Sequence, residues 1–260
     1  MANATPLPEV IRGKVKLRLP YDEQVTTFIH PFFGPDTYKK VGQEILADRK
    51  LALPTGDLTA ALLKAAYCFP NVPAVNDAPE FVEVRQNMRD GWFWIYQVNL
   101  WTPEGVYVRH DPEAKGAGLK MNIRTLDEML KGGTEVHGVR FSEDGTIRFA
   151  PKRTYRLGEH IPESLAADGF MVASCGVEGA KRMAKVAGTF KYKPRTLGLD
   201  VPVGRYPIKR VSSAVSGHGC GGLNFFGNYA FGAGGDEDGD GYASGVLKSA
   251  PRARKVAQVF

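Results

Sequence analysis

The sequence predicts an α+β fold in which several helices pack on mixed or antiparallel sheets. Strands and helices are interspersed along the chain without the strict alternation that a parallel α/β sheet requires. Two pairs of strand-like segments, over 92–109 and over 139–149, are joined by short turns, which is typical of antiparallel hairpins. The composition, with 43% hydrophobic and 24% charged residues, is that of an ordinary globular protein.

The strand predictions rest on alternation of apolar and polar residues. Over 11–19 every second residue is apolar and the others are Arg or Lys, apart from Gly13, which predicts a half-buried strand with a cationic outer face. The strongest strand signal lies over 92–100, where apolar residues fill one face and the start of the other. We therefore expect Trp94, Tyr96 and Val98 to be buried in a central strand.

Two hairpins follow from the turns that separate these apolar segments. Thr102–Gly105 leads from the tryptophan-rich strand to a partner over 106–109, and residues 142–145 connect 139–141 to 147–149. Gly145 supplies the positive φ that such a turn needs. Further strands are predicted over 196–201 and 209–216, with shorter pieces near 223–231 and 242–248.

Helices are predicted where apolar residues recur at three- and four-residue spacing between proline and glycine boundaries. These segments are 35–50, 55–68, 78–90, 125–130, 162–167 and 177–187. The apolar run 169–174, directly before the last of them, is predicted to be a parallel-type strand. The chain is expected to form one globular domain over 9–250, with a subtle boundary near 150–158 left open. Residues 251–260 form a loose basic tail in this interpretation.

Composition and motifs exclude several classes of protein. No apolar run approaches the roughly 18 residues of a membrane span, and the first twenty residues lack the apolar segment of a signal peptide. The three cysteines (Cys68, Cys175 and Cys220) are too few and scattered for a disulfide framework. The motifs of P-loop and dinucleotide-binding sites are missing from the sequence. We expect a soluble cytoplasmic protein without a membrane partner that needs no cofactor to fold.

The charge is compatible with an anionic partner. Lys and Arg number 34 against 28 Asp and Glu, which gives a net charge of +6. Nucleic acid is therefore a possible partner, although it is not the favoured one. None of the RNA-recognition, KH or zinc-finger patterns is present, and the tryptophans are better explained as core residues.

Cys175 is one candidate nucleophile, because it directly precedes the predicted helix 177–187. A helix N-terminus lowers the pKa of a thiol, and a catalytic thiol also needs a base, for which His218 is one of five histidines available. The alternative is that Cys175 packs as a small buried apolar residue, and we expect burial to prevail. The same helix start offers backbone amides from Gly176 to Gly179, which together with Lys181 and Arg182 are a candidate anion site.

The glycine-rich segment 217–245 holds two candidate metal sites. Asp236, Asp238 and Asp240 are spaced by two and followed by Gly241, as in the first half of a calcium-binding loop. Leu247 stands where that loop has its glutamate, so a solvated turn is the alternative to a site for calcium or another divalent cation. His218 and Cys220 are zinc-type ligands, but two ligands do not complete a structural zinc site.

Three functions remain open. The first is a binding or interaction protein whose ligand or partner contacts segment 217–245, which holds 11 of the 30 glycines together with several aromatic residues. The second is a hydrolase or transferase that uses Cys175 as a nucleophile or a divalent cation at the Asp236, Asp238 and Asp240 cluster. The third is a nucleic-acid-binding protein. The sequence alone does not show whether the protein is an enzyme.

Overall fold

Two multi-stranded sheets and a set of helices make up the part of the chain that the structure, a computed structural model, describes. The described residues are 8–11, 16–21, 24–190, 194–196, 208–213, 227–229 and 241–248. The helices are α1 (Tyr38–Ala47), α2 (Gly56–Tyr67), α3 (Pro73–Asn76), α4 (Pro79–Asp90), α5 (Ile123–Leu130), α6 (Pro162–Leu165) and α7 (Gly169–Ala187). Two short 3₁₀ helices cover Gly116–Gly118 and Lys152–Thr154.

The strands fall into three sheets. In chain order they are β1 (Glu9–Ile11), β2 (Lys16–Tyr21), β3 (Gln24–Ile29), β4 (Phe33–Asp36), β5 (Leu51–Ala52), β6 (Trp92–Thr102), β7 (Gly105–His110), β8 (Thr134–Val136), β9 (Val139–Phe141), β10 (Ile147–Pro151), β11 (Gly158–Glu159), β12 (Arg195–Thr196), β13 (Ile208–Ser213), β14 (Gly227–Tyr229), β15 (Gly241–Ala243) and β16 (Val246–Leu247). The first sheet has the order β1-β2-β3-β16-β5 and is antiparallel throughout. The small third sheet pairs β11 with β12.

The second sheet is built around β6. Its main path runs β14-β13-β6-β7-β10-β9-β8, and β15 joins it by pairing with both β4 and β6. The β15–β6 pairing is parallel, whereas the others in this sheet are antiparallel. The predicted α+β class with mixed and antiparallel sheets is therefore confirmed.

Strand β6 supplies residues to three clusters of the core. Phe93 and Ile95 join the largest cluster, which connects both main sheets to α2, α4 and α7. Trp94 and Tyr96 pack instead with α1, and Leu100 packs with α5. Trp94, Tyr96 and Val98 are fully buried, so the prediction of a buried central strand is confirmed. The two predicted hairpins, β6–β7 and β9–β10, are also present.

The prediction of a strand over 169–174 is wrong, because these residues form the first half of α7. The side chains of 169–176 are all buried, so the segment has no polar face from which a helical period can be read. Asp168 begins the helix by accepting hydrogen bonds from the backbone amides of Phe170 and Met171. Smaller differences are that Pro35 lies in β4 rather than in a helix, and that Ile11 and Leu19 belong to two paired strands.

Candidate functional site

A cavity of about 330 Å³ lies where the N-terminus of α2 meets α7 and the strands β6, β7 and β10. We call it the central pocket. Unlike the surrounding core, its wall is rich in polar and charged side chains. It is lined by Thr55, Gly56, Asp57, Gln97, Val108, His110, Asp144, Gly145, Thr146, Arg148 and Ser174.

A break in α7 shapes one wall of the central pocket. Gly176 has φ 70° and ψ 170°, so the helix is interrupted between two helical halves. This combination of angles is essentially restricted to glycine. The carbonyl of Ala173 consequently accepts a hydrogen bond from Arg148 Nη1 at 3.1 Å. The break places Ser174 on the pocket wall.

The N-terminus of α2 lies directly against this break. A Cβ atom on Gly56 would lie 2.1 Å from the carbonyl oxygen of Ser174, so only glycine permits the approach. Thr55 precedes the helix but its side chain makes no capping hydrogen bond. Thr55, Gly56 and Asp57 all line the pocket, so the first turn of α2 borders it, and Asp57 supplies a negative charge in that turn.

Arg148 and Asp57 form a largely buried ion pair on the pocket wall. The Nη2 atom of Arg148 lies 3.3 Å from both carboxylate oxygens of Asp57. Its Nε atom donates to the carbonyl of Gly145 at 3.3 Å, and Nη1 bonds Ala173 as described. All three nitrogens of the guanidinium thus make hydrogen bonds within the protein. These bonds hold the Arg148 side chain in place on the pocket wall, and its charge is already paired with that of Asp57.

Two buried polar groups on the wall have no hydrogen-bond partner among the described residues. They are the Nε2 of Gln97, whose residue is 5% exposed, and the Oγ of Ser174, whose residue is 1% exposed. A buried polar group without a partner costs about 1–3 kcal/mol of stability. Both residues line the central pocket, but these two atoms themselves have almost no accessible surface.

His110 contributes a hydrogen-bond acceptor beside Gln97. Its Nδ1 lies 2.8 Å from the carbonyl oxygen of Tyr96, which can only accept, so Nδ1 carries the proton and donates. In the neutral ring Nε2 then holds a lone pair. Burial lowers the pKa of His110, against smaller opposing effects of the Tyr96 hydrogen bond and the charge of Asp111. The ring is therefore neutral at pH 7.

Among the described residues that line the central pocket, the charged ones are Asp57, Asp144 and Arg148, which sum to −1. Asp144 stays ionised, because hydrogen bonds from Ser142 and Thr146 lower the pKa of its carboxyl group. The described wall thus combines two carboxylates, a guanidinium, a glutamine, threonine side chains and a neutral imidazole. This set suits recognition of a small polar molecule.

The sequence-predicted site residues that the structure describes do not line the central pocket. Cys175 follows Ser174 but does not line the pocket, and it is 1% exposed. Burial raises its pKa, the charge of Asp57 raises it further, and Arg148 acts in the opposite direction. The structure therefore places Cys175 in the core, packed with α2 and α7. His218, the candidate base, lies outside the described residues.

The four residues proposed as an anion site do not share one cavity. Gly176 and Gly179 are buried against Asp57, whose carboxylate lies beside Gly176 and whose Cα and Cβ lie beside Gly179. Lys181 and Arg182 line a separate groove of about 580 Å³, together with Lys64, Pro162, Glu163, Ala166, Glu178, Ala184, Lys185 and Gly188. Lys181 pairs there with Glu178 at 2.5 Å. Burial lowers the pKa of Lys64, and the positive charges of Lys185 and Arg182 lower it further.

The candidate metal ligands Asp236, Asp238, Asp240 and Cys220 all lie outside the described residues, so their arrangement stays a prediction. Within the described ranges, His, Cys, Asp and Glu side chains form no group of three or more that could hold a metal ion. Across the same ranges, no helix combines the length and apolar character needed to cross a bilayer.

Sequence reasoning missed Gln97, His110 and Ser174. One signal was available for Gln97, since it and Asn99 interrupt an otherwise apolar strand, and both are buried. A polar side chain in the interior of such a strand is unusual and calls for a partner. Nothing in the sequence singled out His110 or Ser174, because their importance arises only from their meeting with Gln97 around one cavity.

Comparison with known proteins gives little further information. No protein-family model matches the chain, and no curated protein matches it. A solved structure from work described as "Accommodation of massive sequence variation in Nanoarchaeota by the C-type lectin fold" matches with a TM-score of 0.42 and 12% identity, covering 88% of this chain and 99% of that chain. A similarity at this level carries no argument about the function of this protein.

Proposed function

We propose that the protein is a binding protein whose ligand, a small polar molecule, occupies the central pocket. The observation that carries the proposal is one cavity at which polar and charged side chains from α2, β6, β7 and β10 come together. Its volume of about 330 Å³ falls within the range of roughly 300–1,000 Å³ that is common for small-molecule sites.

The glycine- and aromatic-rich segment 217–245 is the second surface in this proposal. Its support is the way the flanking strands attach to β6. Ser213 pairs with Trp94, and Gly241 pairs with Trp92, so the chain leaves and rejoins β6 two residues apart. Segments that are anchored on a rigid scaffold are a common location for binding residues.

The alternative of a hydrolase or transferase has less support. Its thiol version needs Cys175 to be an accessible thiolate, whereas that residue is buried and its pKa is raised. Its metal version rests on Asp236, Asp238 and Asp240 and is testable by calcium titration of the wild type and Asp238→Asn in a calorimeter. Loss of the binding heat in the variant supports a cation site, and no heat at millimolar calcium rejects it. Nucleic-acid binding stays the third alternative.

The pocket proposal is testable by filling the cavity. Thr55 lines the pocket without a capping hydrogen bond, so Thr55→Phe inserts a large side chain at little cost to α2. The matched control is Thr134→Phe, at an exposed position of β8. Ligand-observed NMR with a mixture of small neutral, anionic and cationic compounds should find binders of the wild type. We expect Thr55→Phe to weaken their binding at least tenfold and Thr134→Phe to leave it unchanged. Failure to find any binder sensitive to Thr55→Phe would contradict the proposal.

A further inference from the structure

The groove of about 580 Å³ between α2, α6 and the second half of α7 is a second candidate site, distinct from the central pocket. We call it the cationic groove. Lys64 of α2 and Lys185 of α7 both line it. We infer that the cationic groove binds a small molecule through a phosphate monoester group. This inference goes beyond the proposed function, because it concerns a different cavity and a different ligand.

Two helix ends bring the cations of the groove together. The first turn of α2 lies against the break in α7, where Gly56 meets the Ser174 carbonyl. From there α2 and the second half of α7 run side by side, so that Lys64 in the last turn of α2 shares the groove with Lys185 in the last turn of α7. The negative end of each helix favours its own lysine, but the packing concentrates both cations in one cavity.

The groove holds more positive than negative charge. Its charged residues among those described are Lys64, Glu163, Glu178, Lys181, Arg182 and Lys185, with a net charge of +2. Glu178 is already bound to Lys181 at 2.5 Å. Lys64 and Lys185 make no hydrogen bond or ion pair with any residue that the structure describes. A phosphate monoester carries about two negative charges above pH 7, which balances this excess.

The repulsion between the cations acts on Lys64. Its ammonium group is partly buried, and burial lowers its pKa. The charges of Lys185 and Arg182 lower that pKa further, so the three cations lie close enough to disfavour one another. The negative charge of Glu178 offsets the effect only in part. A bound dianion removes this repulsion and offers charged oxygen acceptors to both lysines.

The shape and lining of the groove favour a phosphorylated small molecule over a bare ion. Its volume of about 580 Å³ lies within the range of roughly 300–1,000 Å³ that is common for small-molecule sites. Pro162, Ala166 and Ala184 add apolar surface beside the cations, against which the rest of the ligand can pack. A carboxylate or a phosphodiester brings only one negative charge, so either leaves part of the excess unbalanced.

Three aromatic anions test the inference: phenyl phosphate, its methyl diester and benzoate. Each is titrated by NMR at pH 7.5 and constant ionic strength against the wild type, Lys64→Gln and Lys185→Gln. The matched control is Lys39→Gln, which removes the same charge from an exposed position of α1. We expect phenyl phosphate to bind the wild type at least tenfold more tightly than the other two anions. Each groove variant should weaken it at least tenfold, and Lys39→Gln should leave its affinity unchanged.

Each of the other outcomes overturns the inference. Equal binding of the diester would indicate a surface for the phosphodiester backbone of a nucleic acid. Equal weakening by Lys39→Gln and Lys185→Gln would mean that the net charge of the protein, rather than the groove, attracts the anion. Absence of phenyl phosphate binding would leave the lysines only their role at the helix ends. Thr55→Phe should not affect phenyl phosphate, so the result here is independent of the central pocket.

Discussion

Arg148 and Asp57 link the ends of two helices at a single point. Asp57 lies in the first turn of α2, and Arg148 reaches the Ala173 carbonyl at the end of the first half of α7 while its Nη2 lies 3.3 Å from both Asp57 oxygens. Each charge therefore meets the helix end of opposite polarity, the carboxylate at an N-terminus and the guanidinium at a C-terminus. This arrangement holds the interrupted α7 against α2 and fixes one wall of the central pocket.

Substitution of Gly176 should destabilise the protein, because its backbone angles are essentially restricted to glycine. We expect Gly176→Ala to lower the free energy of unfolding by about 1–3 kcal/mol. The control is Gly188→Ala at the end of the same helix, where φ is −64° and ψ −14°, angles that alanine adopts without strain. Urea denaturation measures both variants. Equal, small effects of the two substitutions would contradict a strained break in α7.

Gln97→Met should stabilise the unliganded protein. The substitution removes a buried donor that has no partner among the described residues and keeps a side chain of similar length. We expect the free energy of unfolding to rise by about 1–3 kcal/mol, the cost of such an unpaired group. Gln43→Met, on the surface, should change it by less than about 0.5 kcal/mol. A destabilised Gln97→Met variant would indicate that this amide has a partner that the described residues do not provide.

Stability should depend on pH through His110. Burial lowers its pKa below the ordinary value of 6.5, so the unfolded chain binds the proton first as the pH falls. The contribution of His110 is therefore complete above pH 6.5 and is lost between that value and the lower pKa of the folded state. The charged groups around it are Asp57, Asp111 and Arg148, with Asp144 also on the pocket wall.

The measurement is the free energy of unfolding from pH 5 to 8 in the wild type and in His110→Gln. We expect stability to rise with pH more steeply in the wild type than in the variant. His137→Gln, at an exposed position, is the control and should keep the wild-type slope. A slope that is the same in all three proteins would mean that His110 titrates alike in the folded and unfolded states.

Cys175 should be unreactive in the folded protein. It is 1% exposed, and burial raises its pKa, so both access and thiolate formation are suppressed. Iodoacetamide labelling between pH 6 and 9, read by mass spectrometry, should leave Cys175 unmodified until the protein is unfolded. Cys68, which is only partly buried, is the internal comparison. Rapid native-state labelling of Cys175 near pH 7 would revive the hypothesis of a catalytic thiol.

Local patterns predicted much of the fold. The hairpins β6–β7 and β9–β10 combine alternating apolar residues with a short turn, and both signals lie within about twenty residues of sequence. The first half of α7 was missed because a helix buried on every side has the same continuous apolar composition as a buried strand. Its cap, Asp168, was a signal that sequence reasoning did not use.

The central pocket could not be predicted from local patterns. Gln97, His110 and Ser174 come from β6, β7 and α7, and no spacing rule connects the three. Their relevance depends on their assembly around one cavity, where Gln97 Nε2 and Ser174 Oγ have no hydrogen-bond partner among the described residues. The sequence pointed instead to clusters of chemically reactive residue types in 175–182 and 217–245. Such clusters are visible because their members are neighbours along the chain, whereas the pocket residues become neighbours only in the folded protein.

The last described strands complete both main sheets, and this has a consequence for synthesis. β16 inserts between β3 and β5, and β15 pairs with β4 and β6, although all four partners precede residue 103. Until residue 247 has left the ribosome, the nascent chain therefore exposes edges of β3, β4, β5 and β6 whose partners β15 and β16 are not yet available. Such edges are prone to pair with other chains, so this protein depends on late, long-range closure and is expected to be vulnerable to premature termination and to aggregation during translation.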